Sequence, residues 1–252
     1  MAHTHDLVVD GGVLTKRYRS WDRDEHRREW MVLSRLSSYV SDLVPVPLAA
    51  GLDAVPPSVT MSRLPGDPLD GPLTPAQVDG LEVALRRMWS VPASGLPRRR
   101  YHPQEATEVA RSVFASAIRP GGIAGEAFDA TVSFLGRPAR LGTAEPVVGH
   151  GDPNLTNYLW DGRWIRIVDF EDAGGSDPAY ELATLIEHLS AHETDWNLLL
   201  RRIDVDGDRL RWARCLFASL WFYWLLPGNA AAKRNPPGTL QRQAERLLTL
   251  LG

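Results

Sequence analysis

The chain is poor in residues that would cross-link it or anchor it in a bilayer. It has one cysteine, Cys215, which excludes an intramolecular disulfide and a multi-cysteine zinc site and fits a reducing compartment. Lysine is almost missing: of the 28 basic residues only Lys16 and Lys233 are lysines. That bias suggests a GC-rich genome and makes any lysine-dependent motif easy to check. No apolar run reaches the ~20 residues that span a bilayer. The greasiest, Cys215 to Leu226, is interrupted by Ser219 and closed by Pro227, and reads as a buried core helix. The N-terminal stretch Met1-Ala-His-Thr-His-Asp6 lacks the basic start and apolar segment of a secretory signal. Charge of one sign is lacking too: 28 Lys+Arg face 31 Asp+Glu, a net charge of −3. Such a balance offers no electrostatic footprint for duplex nucleic acid or an anionic membrane. The expectation is a cytoplasmic protein, monomer or homodimer, with no nucleic-acid or membrane partner.

What is present is ordinary globular composition, 44% hydrophobic and 23% charged over 252 residues, enough for one large domain or two small ones. Leu7-Val8-Val9 and Val13-Leu14-Thr15 flank Asp10-Gly11-Gly12, a tight-turn signature that predicts a β-hairpin. Helical spacing follows over Arg23–Ser37. Val44-Pro45-Val46-Pro47 stops it, Ser58–Met61 reads as a buried strand, and Leu64-Pro65-Gly66-Asp67-Pro68 breaks the chain between a small strand-containing part and a larger helical one. Thr74-Pro75 opens a helix to about Ser90. Further helices are expected at 103–118, 123–135, 178–190, 193–202, 208–226 and 239–250, with a hairpin of 157–160 and 164–168 turned by Asp161-Gly162.

The chemistry sits between His150 and Asp172. The order His150-Gly151-Asp152-Pro153-Asn154-Leu155-Thr156-Asn157, then the hairpin, then Ile167-Val168-Asp169-Phe170, brings Asp152, Asn157 and Asp169 to one end of the hairpin. Carboxylate and amide oxygens are hard ligands suited to Mg²⁺, which binds few protein oxygens plus substrate phosphates. Asp152 stays free to take a proton from an attacking hydroxyl. The Asp-x-x-x-x-Asn spacing and the downstream Asp-Phe match the two metal elements of kinases. Singly, each residue is as well read as a turn, cap or strand start; the ordered set carries the reading.

With Val168-Asp169-Phe170-Glu171-Asp172-Ala173-Gly174 and Asp177-Pro178-Ala179-Tyr180-Glu181-Leu182 added, the segment resembles the aminoglycoside phosphotransferase family, which is also similar to choline kinase. The likeness is dense over 148–183, looser over 13–70 and slight beyond. It implies an α+β, two-lobed protein-kinase-like fold: an N-lobe of small antiparallel sheet plus helix over residues 1–65, and a larger, mainly helical C-lobe over 66–252. It implies a phosphotransferase moving the γ-phosphate of ATP or GTP to an acceptor hydroxyl, with Asp152 as base, Asn157 and Asp169 on Mg²⁺, and His150 as a scaffold residue. Such a site needs a cation on the α/β-phosphates held by an acid on a neighbouring helix. Lys16 follows the hairpin strand, and Glu29 stands where the family places the paired acid; Glu25, one turn earlier, competes. Thr60-Met61-Ser62-Arg63-Leu64-Pro65-Gly66 resembles the hinge whose backbone binds the nucleobase, which makes Thr60 and Ser62 nucleotide-site candidates. Fifteen residues precede Lys16 and the hairpin uses most of them, so the family's first strand and glycine-rich phosphate cover look shortened or missing. A weak, exposed nucleotide site is the consequence.

Other motifs fail on their letters. A Walker-A loop needs Gly-Lys-Ser/Thr, and neither lysine follows glycine. No nucleophile elbow or dinucleotide-binding glycine turn occurs. Asp204-Val205-Asp206-Gly207-Asp208 has its glycine misplaced for a calcium loop and reads as a helix cap. His188 and His192 lie four apart on an expected helix, but Leu189 stands where a zinc protease needs Glu, leaving a polar helix face. Arg98-Arg99-Arg100 reads as a solvated loop. For the acceptor, residues 101–252 carry 15 Lys+Arg and 19 Asp+Glu against 13 and 12 for residues 1–100, which permits a cationic molecule. Leu155 and Thr156 stand where some aminoglycoside-modifying members carry an extra carboxylate. The aromatics Trp212, Phe217, Trp221, Phe222, Tyr223 and Trp224 would suit a less charged antibiotic, a nucleoside, or a quaternary amino alcohol by cation–π contact. Antibiotic inactivation leads; a choline- or sugar-kinase role, and a catalytically weak nucleotide-binding scaffold, are the alternatives.

Overall fold

The computed structural model describes residues 5–138 and 143–252; most of the opening stretch read for a secretory signal, residues 1–4, lies outside them. In chain order the elements are β1 (Asp6–Asp10), β2 (Val13–Arg17), α1 (Glu25–Val40), β3 (Pro47–Gly51), β4 (Ser58–Ser62), β5 (Asp67–Pro68), α2 (Pro75–Trp89), α3 (Pro103–Ser116), α4 (Gly122–Leu135), β6 (Val147–Gly149), β7 (Tyr158–Trp160), β8 (Ile165–Ile167), β9 (Gly174–Ser176), α5 (Pro178–Ile186), α6 (Asn197–Arg202), α7 (Gly207–Trp224), α8 (Ala230–Arg234) and α9 (Thr239–Leu251). No helix among the described residues is long and apolar enough to cross a membrane.

These elements form two compact units. The first comprises Met1–Arg100, Glu145–Pro178 and Glu193–Asp204. Its antiparallel sheet has the order β1-β2-β4-β3. The first hairpin closes through Gly11-Gly12 with Asp10 opposite Val13, and Gly11 takes the left-handed conformation that two-residue hairpin turns require. In α1, Val32, Leu33 and Leu36 are fully buried, the apolar stripe of a surface helix laid on a core. Helix α2 starts where its letters say: Thr74 and Gln77 form a reciprocal capping box with Pro75 behind it, satisfying N–H groups that the first turn otherwise strands. The short sheet β5-β7-β8 and the pair β6-β9 frame the loop after β6. The β7–β8 turn is tied by Asp161, whose carboxylate accepts N–H bonds from Arg163 and Trp164 and pairs with Arg166.

The second unit comprises Tyr101–Ala144, Ala179–His192 and Val205–Gly252 and is helical. Phe114, Phe128, Phe222, Leu216 and Leu247 fill its core, and α7 carries the greasy run, with Cys215 buried. Asp206 caps α7 by accepting from the Arg209 amide at 2.8 Å. Glu187, fully buried, is bonded by Arg214 at 2.7 Å and Arg246 at 2.6 Å.

Three expectations need correction. The helix expected to 190 ends at Ile186. His188 leaves helical geometry at ψ 137° and its Nδ1 accepts from the Ser190 amide at 3.2 Å, capping a 3₁₀ turn at Leu189–Ala191; side-chain capping here wins over helix continuation. His188 and His192 therefore do not share a helical face. Helix α6 starts at Asn197 rather than 193, because Asp195 accepts from the Asn197 amide at 2.9 Å and turns the chain first. The third concerns Arg98-Arg99-Arg100, which is no solvated loop: Arg99 is 1% exposed, and Arg98 bridges Gly175 in parallel.

Candidate active site

The loop after β6 is held open by glycine and closed by histidine. Gly151 sits at φ +89°, and a Cβ there would lie 2.1 Å from the Asp172 carbonyl oxygen, so only glycine lets the two segments touch. His150 is buried, accepts from the Asp152 amide through Nδ1 at 3.3 Å and donates from Nε2 to the Val168 carbonyl at 2.8 Å. It thereby braces the residue before Asp169. Asn157, at the end of the 3₁₀ turn that Asn154 caps, donates its amide to the Asp152 carbonyl at 3.0 Å and to the Asp152 carboxylate at 3.2 Å. Its own carbonyl accepts from Val168 at 2.9 Å. Asp152 and Asn157 are thus bonded to each other, and Asn157 is paired one residue from Asp169. The Asn157 nitrogen being committed, its side-chain oxygen is the atom on offer. Burial raises the Asp152 pKa above the ordinary aspartate value; nearby Asp169 and Asp172 push it the same way, against His150 and the Asn157 hydrogen bond.

Asp169 occupies the left-handed region at φ 68°, sparsely used by residues other than glycine and a common mark of functional sites. Its carboxylate, 40% exposed, lies 2.5 Å from the Lys16 ammonium. Lys16 is buried at the end of β2 and meets two further carboxylates, Glu29 at 2.9 Å and Glu171 at 2.8 Å. The three acids could enclose a metal ion by their mutual distances, but the cation among them is the ammonium. Burial works against the Lys16 charge; Glu29, Asp169 and then Tyr18 and Glu171 outweigh it and raise its pKa well above the usual lysine value. Glu29, 1% exposed, also accepts from the Tyr18 hydroxyl and, through its other oxygen, from the Phe170 amide at 3.0 Å. One side chain of α1 so joins β2 to the segment that carries Asp169. The competing Glu25 is taken by Arg23, at 2.9 Å.

Thr60 and Ser62 take their hydrogen bonds outside this cluster. Both are on β4, an interior strand paired with β2 and β3. The Thr60 hydroxyl bonds that of Thr15 at 3.0 Å, while Ser62 exchanges bonds with Val46 at 2.9 Å. Four residues that matter here were not singled out from the sequence. Glu171 stood inside the acidic run after Asp169 and could have been read as a second carboxylate. Arg99, donating to the Gly151 carbonyl at 3.0 Å, had only its place in an arginine triplet. Tyr18 had only its spacing from Lys16. His5, bonded to Glu171 at 2.7 Å across 166 residues, had no local signal.

Residues 7–217 match the model of the phosphotransferase enzyme family. The chain belongs to that family. No curated protein matches it in sequence, but solved structures do in fold. The choline kinase LicA of Streptococcus pneumoniae superposes with a TM-score of 0.67 at 15% identity, covering 100% of this chain and 90% of that one. A choline/ethanolamine kinase family protein of Mesorhizobium loti gives 0.65 at 17%, covering 99% and 85%. The aminoglycoside phosphotransferase APH(3'')-Id of Streptomyces rimosus, solved with ADP and streptomycin, gives 0.60 at 21%, covering 84% and 88%. In fold the chain is thus similar to both choline kinases and aminoglycoside phosphotransferases, and that fold is protein-kinase-like, with an antiparallel-sheet N-terminal region and a helical C-terminal part.

Proposed function

We propose that this phosphotransferase moves the γ-phosphate of ATP or GTP to a hydroxyl of a small molecule, with an antibiotic as the leading acceptor. The observation that carries the reading is the junction of two parts: the Asp152–Asn157 pair beside Asp169, and a buried Lys16–Glu29 pair on Asp169 itself. Asp152 orients the acceptor hydroxyl and takes its proton. The acceptor oxygen bonds to the γ-phosphorus as the bond to the β,γ-bridging oxygen breaks, and the nucleoside diphosphate leaves with that electron pair. Lys16, fixed by Glu29, holds the α/β-phosphates, and the backbone beyond β4 receives the nucleobase.

The donor set suits Mg²⁺: the side-chain oxygen of Asn157 and the half-exposed carboxylate of Asp169 are hard ligands with room for phosphate oxygens. Bound there, the ion would neutralise charge on the β- and γ-phosphates. An amino alcohol is the second acceptor class. Its support is the likeness in fold to choline kinases, among them that of Streptococcus pneumoniae.

A coupled nucleotide-consumption screen over antibiotics, nucleosides and amino alcohols, with ATP and GTP and Mg²⁺, tests the proposal. With the acceptor found, Asp152→Asn should lower kcat at least ~10²-fold while nucleotide affinity and the unfolding midpoint hold. Undiminished transfer by the variant would remove Asp152 as base. Nucleotide binding without transfer to any acceptor would favour a scaffold.

A further inference from the structure

Lys16 has two kinds of partner. Glu29 is shut in, bonded at both oxygens, whereas Asp169 is open to solvent and belongs to the proposed metal site. The third, Glu171, is held from outside the sheet by the residue preceding β1. His5 is 4% exposed, its ring 4.7 Å from that of Tyr18. Its Nδ1 accepts from the Arg19 amide at 3.2 Å, which puts the ring proton on Nε2. Nε2 donates to Glu171 Oε2 at 2.7 Å, and that same oxygen is the one 2.8 Å from Lys16 Nζ. His5, Glu171 and Lys16 form a relay of charge-assisted bonds ending on the ammonium.

We propose that His5 is a positioning residue for the nucleotide phosphates, acting through Glu171 on Lys16. It fixes Glu171 so that the ammonium would keep two oriented carboxylates, Glu29 and Glu171, if Asp169 turned to a metal ion on the phosphates. This rests on the phosphotransferase reading of the site.

Three variants separate the relay from mere packing. His5→Gln places an amide N–H near the Nε2 position; His5→Asn mimics only Nδ1; His5→Ala provides neither. ATP and GTP are titrated calorimetrically, with excess Mg²⁺ and again in EDTA, alongside thermal unfolding. His5→Ala and His5→Asn should weaken the better-bound nucleotide roughly tenfold, as expected for one charge-assisted bond, while His5→Gln stays close to wild type. The loss should be smaller in EDTA, since with no metal to draw it off Asp169 stays on Lys16 as a third carboxylate. In a Glu171→Gln background, His5→Ala should add nothing, because the charged relay is already cut. Equal affinities for all variants, or equal losses in His5→Gln and His5→Asn at matched unfolding midpoints, would overturn the proposal. A wild type that binds neither nucleotide would instead remove the phosphotransferase reading beneath it.

Discussion

Asp152, Asn157 and the segment that carries Asp169 are held in place by neighbouring residues outside the set. His150 spends both ring nitrogens on backbone, one on each side of the gap between Asp152 and Val168. Arg99 donates to the Gly151 carbonyl at 3.0 Å and to the Arg100 carbonyl at 3.0 Å, while the Arg100 amide donates to the Asp172 carbonyl at 2.9 Å. A buried guanidinium persists only where such acceptors surround it. Gly151 is the tightest point of this packing, since its missing Cβ is what admits the Asp172 carbonyl. Gly151→Ala should therefore cost roughly 2–4 kcal/mol of unfolding free energy, combining strain at positive φ with a backbone clash. Urea denaturation measures it. A change within ±0.5 kcal/mol, the size of an ordinary surface substitution, would mean that the two segments do not meet as described.

At the level of elements, α5 shows how a local bond ends a helix and leaves a pH signature. The chain leaves α5 after Ile186 and turns on His188, whose ring is buried against Trp221 at a centroid distance of 5.0 Å. Burial, with a smaller contribution from His192, lowers the His188 pKa from 6.5 to about 3. In the unfolded chain this ring binds a proton below about pH 6.5, while in the folded protein it stays neutral until about pH 3. The unfolded state thus holds more protons in that window, so the stability is fully present above pH 6.5 and falls as pH drops. One such group contributes a slope of about 1.4 kcal/mol per pH unit. His188→Asn keeps a capping oxygen for the Ser190 amide and removes the titration. Urea unfolding from pH 6.5 to 5 should show the wild type losing stability more steeply than the variant by nearly that slope. Parallel lines would contradict the buried neutral ring.

Across the whole molecule, what was legible in the letters was what local physics decides. The Asp10-Gly11-Gly12 turn, the Thr74-Pro75 start of α2, the helix cap before α7 and the hairpin turned at Asp161-Gly162 all rest on groups a few residues apart. So did the ordered set from His150 to Asp169, because its spacing alone brings its members to one loop and one hairpin. Strand β9 was not legible: Gly174-Gly175-Ser176 has little strand propensity, and what makes it a strand is contact, since a Cβ on Gly174 would lie 2.2 Å from the Pro97 carbonyl. The burial of Arg99 and the His5–Glu171 bond were hidden for the same reason, their partners being far away in sequence. The Lys16–Glu29 pairing sat between these cases: the family pattern favoured Glu29 while Glu25, one turn earlier, competed, and the structure gives Glu25 to Arg23 and Glu29 to Lys16.

The central claim is that oxygen donors from a loop and a hairpin, with one lysine from a separate sheet, meet at the tail of a nucleoside triphosphate. A crystal structure with Mg²⁺ and a non-hydrolysable ATP or GTP analogue tests it most directly. The account predicts a divalent ion bonded to the Asn157 side-chain oxygen and the Asp169 carboxylate, phosphate oxygens on Lys16 Nζ, and the Asp152 carboxylate facing the γ-phosphate. A nucleotide bound elsewhere, or an ion that touches neither Asn157 nor Asp169, would contradict it.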